Sequence, residues 1–127
     1  NEGEMVPGCD GGIEDSSKTD YCIPEGQGPT LYLEQLGERM LGSPDDNLGS
    51  SISLSHDGQV LAVGSVDAGS TGYVNIYELI DDASWKFATT ITGDEIGGEF
   101  GQSISLSGDG KVLAVGNTLR DVGRVQV

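Results

Sequence analysis

The chain has 127 residues, six Lys or Arg against 21 Asp or Glu, and its net charge of -15 argues against nucleic acid or anionic lipid as a partner. A hydrophobic fraction of 35% together with 21 glycines describes a turn-rich chain with a thin core and no long helix. No apolar run approaches the roughly 18 residues needed to cross a bilayer, so membrane insertion is not expected.

Residues 1–30 are acidic and hold both cysteines, Cys9 and Cys22, with nothing resembling a zinc pair or a CxxC redox motif. A disulfide closing this short loop is expected, worth about 3 kcal/mol in an oxidising compartment; free thiols are the alternative. The segment reads as a cap, a linker or a junction to another domain. No signal peptide opens the chain, which starts at Asn1 and not at Met. These features point to a processed protein or a fragment, secreted, at the cell surface or in an organelle lumen.

From residue 31 onward the sequence repeats. The stretch GSSISLSHDGQVLAVG at 49–64 returns as GQSISLSGDGKVLAVG at 101–116, with 13 of 16 positions identical at an offset of 52. EQLGERMLG at 34–42 aligns with WKFATTITG at 85–93, and GYVNI at 72–76 with GRVQV at 123–127, giving units of 34–84 and 85–127. In chain order each unit holds an opening segment, then SISLS, whose alternation of apolar residues with Ser predicts a strand with one bulky and one small face. Next, HDGQ or GDGK predicts a tight turn, in which Gly supplies the positive φ. VLAVG, a continuous apolar run, predicts a strand buried on both faces, and VNIYEL closes the unit as a further strand.

Repeated groups of four strands predict an all-β fold of four-stranded antiparallel β-propeller blades, with the small Ser face allowing neighbouring blades to pack. Two blades cannot close a propeller of about four to eight. The chain also stops at Val127, inside a strand whose counterpart continues as Ile76–Leu79. Part of a larger propeller is therefore expected, with assembly of several copies as the alternative.

Phe100-Gly101, its softened counterpart Leu48-Gly49, and LAVG before Ser65 or Asn117 resemble the FG-GAP repeats of integrin α-chain heads and of many secreted proteins. The resemblance covers residues 34–127 and implies propeller blades. The Pro of the family's Gly-Ala-Pro element is replaced by Val66 and Thr118. Neither hairpin carries the alternating carboxylates of the family's calcium loop, so that site is not carried over. WD repeats, also propellers, are the close rival, although no Trp-Asp dipeptide occurs.

Residues identical in both units are expected to be structural, and functional residues are expected where the units differ. His56 stands opposite Gly108 and reads as an exposed turn residue; Asp57 and Asp109 recur at the turn, where geometry accounts for them. Trp85, Tyr73 and Tyr77 read as packing residues. No Ser lies in a triad or nucleophile-elbow pattern, so no catalytic residue and no enzyme activity is assigned. The acidic loops SPDDN and DEIGGE occupy equivalent places and supply the candidate interaction residues Asp45, Asp46, Asn47, Asp94, Glu95 and Glu99. The expected function is a non-enzymatic scaffold holding a protein partner with a basic surface. The alternatives are a glycan- or divalent-cation-binding adhesion module, or a piece of a larger propeller enzyme; no cofactor is assigned, calcium being the alternative.

Overall fold

The computed structural model of the chain describes residues 12–14, 22–24, 33–66, 71–118 and 122–127. The chain divides into two units, Asn1–Glu34 and Gln35–Val127. In the first, β1 (Gly12–Glu14) and β2 (Cys22–Pro24) form an antiparallel pair that sets Glu14 opposite Cys22. The expected pairing of Cys9 with Cys22 lies outside the described residues.

The second unit contains two antiparallel sheets and, among the described residues, no helix. The first sheet runs in chain order through β3 (Leu48–Leu54), β4 (Val60–Ser65), β5 (Tyr73–Ile80) and β6 (Ser84–Thr92). The second comprises β7 (Ser103–Leu106), β8 (Leu113–Thr118) and β9 (Gly123–Gln126).

The duplicated Ser-x-Asp-Gly segment builds the same turn twice. Ser55 Oγ donates to Asp57 Oδ1 at 2.6 Å and accepts from Val60 N at 2.9 Å, while Gln59 N reaches Asp57 Oδ1 at 3.0 Å. In the second copy Ser107 Oγ donates to Asp109 Oδ1 at 2.7 Å and accepts from Val112 N at 3.0 Å, with Lys111 N at 3.2 Å from the carboxylate. Gly58 and Gly110 take the left-handed φ, +72° and +70°, that closes each turn. Both Asp side chains are thereby consumed by their own backbone, as expected for turn residues.

Pairing of Ser51 with Gly64 and of Ser53 with Ala62 gathers small residues on one face of the first sheet. The second sheet packs there. Ser51 Oγ donates to the Gly101 carbonyl, and Leu106 N donates to Ser53 Oγ at 2.9 Å. Ala62, Val74, Phe100 and Val115 form the buried core, with Ile76, Ile104, Leu106 and Leu113 packed against it. At the turn end, His56 N donates to Gly108 O at 3.0 Å. The His56 side chain is exposed.

The sheets do not follow the boundaries of the sequence repeat. WKFATTIT begins the second repeat unit, yet it is β6 and pairs along the whole of β5, with Tyr73 opposite Thr92 and Ile80 opposite Ser84. Asp81 and Asp82 make the reversal possible by adopting left-handed φ of 53° and 52°, which short carboxamide and carboxylate side chains tolerate best. The counterpart at 34–42 forms no strand. Its expected place in the first unit's sheet is taken by β6, so the break between sheets falls at 93–102, not at 84/85.

Candidate functional site

The two acidic loops precede β3 and β7 and lie at the same end of each sheet, where β4 and β8 finish. Their backbones share two left-handed positions and two turn bonds, but differ at Asn47, whose φ is 53° while its counterpart Glu99 is not left-handed. Asp45 and Gly97 adopt φ of 69° and 79°, and Gly49 and Gly101 adopt 96° and 90°. Asp46 N bonds Ser43 O at 3.3 Å, as Gly98 N bonds Glu95 O at 3.1 Å. Ser50 N and Gln102 N close the next turn on Asn47 O and Glu99 O, at 3.1 and 3.0 Å.

In the first loop Asp46 is turned inward. Its carboxylate accepts from Ser43 N at 2.7 Å, Leu48 N at 3.1 Å and the Tyr73 hydroxyl at 2.6 Å. The Tyr73 bond, helped by the two backbone bonds and opposed by burial, holds the Asp46 carboxyl below the usual carboxylate range. Burial, followed by the Asp46 bond, raises the Tyr73 phenol. The Asp46 carbonyl also accepts from the buried Ser65 hydroxyl. Asn47 Nδ2 donates to Val66 O at 3.1 Å, so the loop is tied to the end of β4 at both positions.

In the second loop Glu95 forms an ion pair with Arg124 of β9. Glu99 Oε2 accepts from Gln102 Nε2 and Thr118 Oγ1, both at 2.8 Å. Where the first unit has Asp46 over Ser65, the second has Gly98 over Asn117. A Cβ at Gly98 would lie 2.9 Å from Asn117 Oδ1, so the larger amide fits because the facing residue lost its side chain. Asn117 Oδ1 is buried and, among the described residues, has no hydrogen-bond partner.

Of the six candidate interaction residues, Asp46, Asn47, Glu95 and Glu99 are thus engaged in holding the loops. Asp45 and Asp94 are exposed and make no hydrogen bond or ion pair among the described residues. Tyr73 and Arg124, which anchor the two loops from the neighbouring strands, carry no signal local to 43–47 or 94–99. The exchange of Asp46/Ser65 for Gly98/Asn117 is visible in the repeat once both loops are aligned from Gly49 and Gly101 backward.

Tyr73 is therefore a loop anchor, Tyr77 packs edge-to-face on Phe87 at 5.9 Å, and Trp85 is half-buried. Among the described residues no three His, Cys, Asp or Glu side chains converge as a metal site. Asp57 and Asp109 are held below the usual carboxylate range, first by Ser55 and Ser107 and then by the backbone N–H groups of Gln59 and Lys111. The exposed carboxylates offer charge to a partner; the engaged ones offer rigidity. Comparison with protein-family models, with curated proteins and with solved structures finds no match to this chain.

Proposed function

We propose that this chain is a non-enzymatic scaffold built of β-propeller repeats resembling the FG-GAP type, whose acidic loop end holds a protein with a basic surface. The observation that carries the reading is the pair of acidic loops at equivalent places of the two sheets, each anchored by carboxylate bonds and each extending an unbonded carboxylate, Asp45 or Asp94, into solvent. Rigid display of charge on a packed sheet suits recognition of a preformed surface. The face-to-face stacking of consecutive antiparallel sheets supports the blade assignment, and the net charge of -15 supports a basic partner. A secreted, cell-surface or lumenal location follows if Cys9 and Cys22 are oxidised, which thiol labelling under non-reducing conditions tests.

The function is tested by crosslinking the protein to its neighbours in its source, then titrating the recovered pair with salt. Affinity is expected to fall as salt rises and to fall further in Asp45→Asn/Asp94→Asn. Binding indifferent to salt and to both substitutions overturns the electrostatic reading. The blade assignment is tested separately by electron micrographs of the native protein. Closed rings are expected, and stacks with open ends overturn a propeller.

A further inference from the structure

The second unit carries two complementary surfaces, each of them twice, and among the described residues one of each packs against the other sheet. On the second sheet Ile104 lies opposite Val115 and Leu106 opposite Leu113, forming the apolar face that packs on the first sheet's core. On the first sheet the corresponding residues are Ile52, Val63, Leu54 and Leu61, the same type at every position and in the same register. On that copy the β3 side is open, with Ile52 69% and Leu54 55% exposed, while on the β4 side Leu61 is half-buried and Val63 is 5% exposed.

The receiving surface is duplicated in the same way. On the first sheet it comprises Ser51, Ser53, Ala62, Gly64 and Val74, with two polar keys: Ser51 Oγ donates to Gly101 O, and Ser53 Oγ accepts from Leu106 N. On the second sheet Ser103, Ser105, Ala114, Gly116 and Val125 again match residue for residue. They line an open cavity of about 160 Å³, and Val125 is 72% exposed.

We propose that the Ile52–Leu54 face of one copy of this chain docks head to tail on the Ser103–Ser105 face of a second copy. The occupant follows from the interface already formed within the chain, because each open surface has the residues of a covered one, and one chain offers both halves. Ser103 then donates to the partner copy's carbonyl at the Leu-Gly step, and Ser105 accepts the amide N–H that follows the middle Ser of SISLS. The contact is heterologous, so growth continues until the ends meet. It does not depend on how many sheets close a ring, nor on the acidic loops.

The net charge of -15 on every copy opposes approach at low ionic strength, so association strengthens as salt screens the repulsion. This is the reverse of the salt dependence expected for a basic partner, and the two readings fail separately.

The test is sedimentation velocity of the chain at rising concentration and salt, with Ile52→Asp and Ser105→Arg placed on exposed positions of the two faces. Wild type is expected to form species larger than dimers, and each variant alone to sediment as a 13.2 kDa monomer. Mixed together, the two variants have one intact face each and are expected to form a 1:1 dimer that grows no further. Circular dichroism matching wild type shows that both variants fold. A wild-type monomer up to about 0.1 mM in high salt, self-association that survives either variant, or a mixture that stays monomeric overturns the proposal.

Discussion

Phe100 and Leu48 hold the same position of the repeat, and the structure assigns them very different burdens. Phe100 is 1% exposed and lies in the mouth of the first sheet, with its N–H on Thr71 O at 3.3 Å and a Cβ built on Gly93 only 2.7 Å from its own Cβ. Leu48 is half-buried. Truncation of a fully buried Phe costs about 3–5 kcal/mol, so Phe100→Ala is expected to remove a large part of a stability of about 5–15 kcal/mol. Leu48→Ala loses a smaller side chain from a partly wet site and is expected to cost less than about 2 kcal/mol. Urea unfolding followed by tryptophan fluorescence of Trp85 separates them, because a loss of about 3 kcal/mol lowers the midpoint by about 1 M or more. Equal midpoints for the two variants, or a loss under about 1 kcal/mol for Phe100→Ala, would refute the packing argument.

Gly98→Asp, which restores the first loop's residue to the second, is expected to destabilise by about 1–3 kcal/mol through overpacking on Asn117, and adding Asn117→Ser is expected to recover most of it; thermal melts of the cycle check the sign. Asp57 and Asp109 have folded-state carboxyl groups below their unfolded values, so their contribution is complete above the unfolded range near pH 4 and disappears as pH falls through the lower folded range. Urea midpoints measured from pH 6 downward should therefore fall less steeply in Asp57→Asn/Asp109→Asn than in wild type. The raised phenol of Tyr73 stabilises below the unfolded tyrosine range and loses that contribution as pH rises through its folded value. Ultraviolet titration should show Tyr73 ionising late, and earlier in Asp46→Asn.

The hairpins were legible because their causes are local. Alternation in SISLS, the apolar run VLAVG and the Asp-Gly turn specify β3–β4 and β7–β8, and the Ser face meets its neighbour as the small-residue pattern predicts. The allocation of WKFATTIT was not legible from the repeat alone, since alignment reports which segments correspond and not which strand each one pairs with. The hint was Asp81-Asp82 between two strand-like runs, a pair suited to a left-handed reversal. The acidic segments 43–47 and 94–99 lie outside the strands, but counting carboxylates could not separate those facing water from those facing the chain. Asp46 is withdrawn by a tyrosine 27 positions away, and Glu95 by an arginine 29 positions away. Contacts of that separation have no periodic signature.

The Ser-x-Asp-Gly turns also set an order of events during folding. Their bonds span five residues or fewer, whereas the Ser51–Gly101 contact joins groups 50 positions apart. Closing the short loops restricts little chain, while the distant contact gives nothing until both hairpins exist. Docking of two preformed hairpins is then expected to limit the rate. Ser55→Ala and Ser107→Ala should slow refolding in proportion to the stability they remove, and Ala62→Gly, at the docking surface, should slow it as well; a change in the unfolding rate alone would refute docking as the slow step. A chain that duplicates its hairpin duplicates its nucleus, and either copy can begin.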